Sequence, residues 1–178
     1  MGDSLSNIGS VYSVKGNYGK GLEYYSRSLA IDEELGDKYG MGGSLGNIGA
    51  VHYNKGDYDT ALDYYDRSLA ISEELGNKYG MGNSLFSIGA VHYFQSDYDK
   101  ALDYYSRSLA IQEEIGDKRG MGQSLLNIGV VHSNKGDYGK ALDYYERSLK
   151  IKEELGDKRG MGQSLNNIGV VHSNKGDY

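Results

Sequence analysis

The sequence predicts an all-α solenoid of antiparallel helix pairs, about nine helices in all. Three observations predict it. A unit of 40 residues recurs without gaps, so that 16–40, 56–80, 96–120 and 136–160 align directly. Apolar residues within each unit return at helical and not at strand spacing. Glycine (serine at 96) followed by aspartate or asparagine punctuates the units at two fixed places, the pattern of one helix stopping and another being capped. The array is read as a single domain over 1–178. Repeat 1 covers 1–36, repeat 2 37–76, repeat 3 77–116 and repeat 4 117–156, and the first helix of a fifth repeat covers 157–178.

Repeat 2 justifies the elements in order. Asp37 is a plausible N-cap, and the first helix runs from Lys38 to Lys55. Met41, Leu45, Ile48 and His52 share one face of it at i, i+4, i+7 and i+11. Gly56 stops that helix and Asp57 is placed to cap the next. The second helix presents Tyr58, Ala61, Leu62, Tyr65, Ser68, Leu69 and Leu75, and Gly76 closes it. Tyr65 is read as core and its neighbour Tyr64 as facing a margin. Small residues at Gly49 and Ala61 fall where the paired helices come closest. A helix-interior glycine costs about 0.5–1 kcal/mol against alanine, so Gly40, Gly42, Gly46 and Gly49 each need a packing reason. One hairpin cannot bury its apolar face alone, so neighbouring units must stack.

Composition narrows the function classes. Hydrophobic residues are 38% of the chain and mean hydropathy is −0.61, which suits an elongated stack that keeps much surface in water. There is no cysteine, which removes disulfides and thiol chemistry and fits a reducing compartment. Formal charge is −6, against the dense cationic face that phosphate binding needs, so no nucleic-acid partner is expected. No apolar run reaches the roughly 18 residues of a membrane span, and no signal peptide is read at the N-terminus. The expectation is a cytoplasmic protein with no cofactor and no metal.

The run Leu45, Ile48, Gly49, His52, Gly56, Tyr58, Ala61, Tyr65 and Ser68 resembles the tetratricopeptide repeat, and the likeness recurs in every unit. Leucine stands for the usual early tryptophan, histidine for the mid-helix tyrosine, and the late proline is missing. The longer unit is similar to the 40-residue repeats of kinesin light chain and of Pins-type G-protein-signalling modulators. The resemblance implies a right-handed α-solenoid whose first helices line a concave groove, and a protein- or peptide-binding scaffold that is not an enzyme. It does not imply a chaperone-tail receptor, because the basic clamp such members use is missing from the groove positions.

Positions opposite the core face of the first helix form a stripe, Asp3, Asn7, Ser10 and Val14 in the first unit and Gly43, Asn47, Ala50 and Asn54 in the second. The resemblance puts this stripe inside the groove. Asn7, Asn47, Asn127 and Asn167, interrupted by Ser87, make a ladder of side-chain amides. Each offers two donors and an acceptor, the complement of an extended peptide backbone. In the longer-repeat members, asparagines at this position hold a bound main chain, which these four resemble. Phe86, Tyr93 and Phe94 lie beside the ladder, with Tyr53 and Leu126 flanking, as candidate aromatic and apolar anchors. The competing reading is an asparagine row on a solvated face, copied by duplication. Residues 116–138 and 156–178 differ only at Leu126 against Asn166, which duplication or deliberate construction equally explains.

Other recurrences look like chemistry without carrying it. His52, His92, His132 and His172 return once per unit, but equivalent positions lie a helix spacing of roughly 8–10 Å apart, too far to share a metal. They read as core histidines with local hydrogen bonds. The glutamate pairs, Glu33–Glu34 to Glu153–Glu154, point about 100° apart near helix ends and read as solvated. The Gly-Asp-Lys-Arg-Gly-Met-Gly segments match no phosphate-binding spacing. A fifth unit that stops after its first helix, and an uncapped first helix at the N-terminus, leave two alternatives to the free scaffold. One is a homo-oligomer stacked end to end through terminal helices. The other is a piece of a larger regulatory repeat protein, natural or engineered.

Overall fold

The computed structural model describes residues 2–175, without the side chain of residue 3, so Asp3 of the stripe and the predicted end of the fifth unit at 176–178 lie outside the described residues. Among them are nine helices and no strand: α1 Gly2–Val14, α2 Tyr18–Leu35, α3 Lys38–Asn54, α4 Tyr58–Glu74, α5 Lys78–Phe94, α6 Tyr98–Ile115, α7 Lys118–Asn134, α8 Tyr138–Glu154 and α9 Lys158–Lys175. No helix among them is long and apolar enough to cross a membrane. The chain divides into two compact units, 1–91 and 92–178, with the division inside α5.

Local chemistry sets the helix ends. Asp37, Asp117 and Asp157 accept from Gly40 N, Gly120 N and Gly160 N at 3.0, 3.0 and 2.9 Å, and Asn77 accepts from Gly80 N at 3.1 Å. These bonds satisfy amides that the first turn leaves open. Glycine follows the helices in the left-handed conformation, at φ 77° for Gly56 and 62° for Gly76. At one stop the left-handed residue is Ser96, φ 63°. Asp57 sits at the N-cap of α4 without capping an amide. Its carboxylate instead meets His52 Nδ1 at 2.9 Å and accepts from Thr60 Oγ1 at 2.9 Å, and these two bonds hold it below the usual carboxylate range. Leu75, placed by the sequence on the second helix, is the residue after α4 and 43% exposed.

In the first unit α1 packs on α2, α2 on α3 and α3 on α4, and α1 also touches α3. Leu45, Ile48, Val51 and Ala61 are buried, and full burial of a leucine, isoleucine or valine side chain stabilises by about 1.5–3 kcal/mol. Tyr25, Ile48 and Val51 form one cluster under Tyr18, Leu22, Leu29 and Tyr64. A Cβ on Gly49 would stand 2.9 Å from the Tyr65 ring, which is the packing reason this glycine needed. Gly46 and Gly43 have none. A Cβ at 46 would meet only Ser68 Oγ, at 3.6 Å, and at 43 it would meet nothing.

In the second unit α6 packs on α7, α7 on α8 and α8 on α9, with α7 also touching α9. Leu126, Ala141, Tyr145 and Val171 form its cluster, flanked by Val130, Leu142 and Ile168. Gly129 meets Tyr145 as Gly49 meets Tyr65, with a Cβ that would lie 2.6 Å from the ring. Leu165 of α9, in the register of the buried Leu45, Leu85 and Leu125, is 53% exposed.

A buried serine seam runs between successive helices. Ser68 Oγ donates to Gly42 O at 2.9 Å and lies 3.2 Å from Ser84 Oγ. Ser148 repeats the arrangement with Gly122 O at 2.7 Å and Ser164 Oγ at 3.3 Å. One turn further along the second helices, at 40-residue steps, stand Asp32, Ser72, Gln112 and Lys152, all buried and all different.

Candidate functional site

In the first unit, positions 43, 47, 50, 83 and 87 of the first helices line a cleft of about 430 Å³. α3 forms one wall with Gly42, Gly43, Gly46, Asn47 and Ala50, and α5 the other with Asn83, Ser84 and Ser87. α4 supplies the floor through Tyr65, Ser68, Ile71 and Ser72. The two walls come from neighbouring repeats, so stacking itself creates the concavity. Its only charged lining residue is Lys38, whose ammonium pairs with Glu74. Tyr39 and Tyr79, 67% and 58% exposed, also line it.

Asn47 and Ser87 face this cleft together, half-buried. Tyr65 lines the same cleft. Burial drives its phenol up to about 12, against a hydrogen bond with Ser87 that lowers it and the nearby Tyr53 that raises it. The ladder position in repeat 3 is thus tied to the core tyrosine of repeat 2. Tyr53 is half-buried and its ring lies 6.0 Å from that of Tyr58. Asn7 is exposed on α1, and Phe86 is half-buried on α5.

The second unit holds the remaining candidates. Asn127 and Asn167 are half-buried on α7 and α9. Asn127 Nδ2 donates to Gln123 O at 3.0 Å, one turn back on its own helix, so part of that amide is already engaged. Tyr93 accepts from Asn134 Nδ2 at 2.9 Å and meets Phe94 edge-on at 5.3 Å. Phe94 is 55% exposed. Leu126 departs from its predicted place at the groove margin: it is 7% exposed, held in the cluster with Ala141, Tyr145 and Val171. A leucine there gains more from the α8 and α9 surfaces than from a wet rim.

Sequence reasoning placed the first-helix wall and missed the floor. Ser68 is placed by the sequence only on the second helix, and Ile71 and Ser72 carry no sequence signal of their own. The cleft also depends on side chains that are absent. The column containing Gly46 reads Ser, Gly, Phe, Leu and Asn through Ser6, Phe86, Leu126 and Asn166, and the column containing Tyr39 reads Tyr, Tyr, Arg and Arg. Those departures from copying were the available signal.

His52, His92 and His132 stack locally on tyrosine rings, whereas His172, expected in the core, is exposed on α9. His52 stacks on Tyr64 with centroids 5.6 Å apart, and Arg67 lies 5.2 Å from the other ring. His132, Tyr144 and Arg147 repeat the stack, with His132 Nδ1 3.3 Å from Asp137. The glutamate pairs are exposed.

Comparison with known proteins bears on the whole chain. A tetratricopeptide repeat family model matches residues 40–114 and 120–178, and a second of the same description matches 2–35. No curated protein matches the sequence. Among solved structures, BtubC (BKLC) from P. vanneervenii is similar at 20% identity and TM-score 0.87, over 98% of this chain and 73% of that one. The nearly identical TPR-like repeats of a Podosopora anserina putative kinesin light chain match at 13% identity and TM-score 0.78, over 98% and 86%. A Rap protein complexed with Competence and Sporulation Factor matches at 19% identity and TM-score 0.86, over 97% of this chain and 52%, about half, of its own. These likenesses establish a shared fold.

Proposed function

The chain belongs to the tetratricopeptide-repeat family, and on that premise we propose that it is a binding scaffold that holds an extended peptide or a partner helix along its first helices. One observation carries the reading: successive first helices turn Asn47 and Ser87 into one open, nearly uncharged cleft. Side-chain amides at a 40-residue repeat can pair with a backbone whose own donors and acceptors are otherwise in water. A half-buried amide held by a packed helix is ordered beforehand, which lowers the entropy cost of binding. Tyr53, Phe86, Tyr93 and Phe94 are the aromatic residues we assign to affinity, and Asn7, Asn47, Asn127 and Asn167 those we assign to register. Binding within a Rap protein's complex with Competence and Sporulation Factor is consistent with a fold of this kind receiving a ligand.

The test is a random peptide library displayed on phage and selected on the wild-type chain. Binding peptides should lose about 5- to 150-fold in affinity for the doubly substituted N47A/N127A chain, the loss of two hydrogen bonds at about 0.5–1.5 kcal/mol each. Selected peptides that bind the double variant unchanged would remove the ladder from the mechanism.

A further inference from the structure

We propose that the space above Gly46 is an anchor pocket for one neutral side chain of the bound segment, of leucine or phenylalanine size. The proposal rests on the groove reading above and names what that groove selects. It starts from a comparison inside the chain. Leu126 holds the same position in repeat 4 as Gly46 in repeat 2, and there the leucine packs into the cluster with Tyr145. Tyr65, the counterpart of Tyr145, lines the cleft instead. With glycine at 46 the space is left open, and a Cβ there would meet only Ser68 Oγ, at 3.6 Å. The chain's own leucine thus displays, in one repeat, the kind of group that the other repeat leaves room for.

The lining chemistry agrees. Ser68 spends its proton on Gly42 O at 2.9 Å and Ser84 lies 3.2 Å from Ser68, so these two serines beneath Gly46 already have hydrogen bonds. An occupant there needs no polar group. Lys38 is neutralised by Glu74, which leaves no counter-charge for an acidic or basic side chain. Ile71 presents its methyl 3.5 Å from a Cβ at Gly42, and Leu75 and Tyr39 leave apolar surface at the opening. Apolar cavities of about 150 Å³ already take benzene, so 430 Å³ accommodates one ring or branched chain with backbone alongside.

The experiment uses side-chain probes that need no knowledge of the partner: the N-acetyl amides of leucine, phenylalanine, lysine and aspartate, followed by ligand-observed NMR on the full chain. The leucine and phenylalanine probes should bind, the charged ones should not, and G46L should weaken binding about tenfold or more by filling the pocket. G46A, whose added methyl has ordinary clearance, guards against misfolding and should weaken binding by a smaller factor. Equal binding to wild type and G46L, or a preference for a charged probe, overturns the proposal. The peptides selected on the wild type separate the two ideas. Sensitivity to N47A/N127A without sensitivity to G46L keeps the groove and removes the pocket, whereas peptides weakened by G46L and bearing a shared leucine or phenylalanine support both.

Discussion

Gln112 and Lys152 occupy the same place in successive repeats, yet one is hydrogen-bonded through both amide heteroatoms and the other's ammonium is not bonded. Gln112 Nε2 donates to Ser108 Oγ at 3.0 Å while its Oε1 accepts from Ser124 Oγ at 2.8 Å. Lys152 is 4% exposed, and its Nζ has no hydrogen-bond partner. Burial pushes this lysine below its ordinary range, only partly opposed by Asp157. A buried group without partners costs about 1–3 kcal/mol. K152Q should therefore bridge Ser148 and Ser164 as Gln112 does, and stabilise α9 by about 1 kcal/mol or more. Hydrogen exchange of the α9 amides checks it; unchanged or faster exchange would contradict the argument.

Ser96 takes the left-handed conformation that glycine takes at the equivalent stops. A side chain there carries a strain of about 1 kcal/mol that glycine escapes, partly offset by the extra freedom glycine has when unfolded. S96G is expected to raise stability by about 0.5–1 kcal/mol, read as a higher midpoint in urea.

Two glycines should answer an alanine scan with opposite signs. A Cβ on Gly129 would lie 2.6 Å from the Tyr145 ring and 3.3 Å from the Ala141 carbonyl oxygen, one of them rigid backbone. G129A should cost about 1–3 kcal/mol through overpacking, more than its gain in helix propensity. Gly169 has nothing within 4 Å, so G169A should stabilise by about 0.5–1 kcal/mol. Thermal melts of both variants test the contrast.

Alkaline pH attacks the core through Tyr65 and Tyr145. Burial raises both phenols from 10.0 to about 12, with hydrogen bonds to Ser87 and Ser133 opposing the rise. The unfolded chain loses these protons first, so the stability they contribute is complete below pH 10 and disappears as pH climbs to 12. The doubly substituted Y65F/Y145F chain should show a shallower fall of Tm across that interval. An unaltered slope would assign alkaline unfolding to other groups.

Much of this was legible because backbone punctuation and helical period are local. Asp37 caps and Gly56 stops where they do whatever the neighbouring repeat contains, whereas the partner that crowds Gly49 is the Tyr65 ring and not Ala61. The remainder depended on competition. Asp57 had both an amide and His52 within reach, and the side-chain partner won, which spacing cannot decide. Leu126 looked marginal because one helix was considered, but burial there is supplied by α8 and α9. The cleft escaped notice because Gly46 contributes to it by having no side chain, and because Ser68 and Ser72 reach it from the other helix of the pair.

The serine seam bears on how the chain finds its own alignment. Near-identical helices such as α7 and α9 invite a slip by one whole repeat, since most apolar contacts, those of Leu126 excepted, would be recovered in the shifted pairing. The differing residues at 32, 72, 112 and 152 make the slipped pairings unequal. Asp32 accepts from Ser44, Gln112 needs serines on both sides, and Lys152 satisfies neither arrangement. Four buried side chains can thereby work as address labels in an otherwise repetitive text, telling each helix which neighbour is its own.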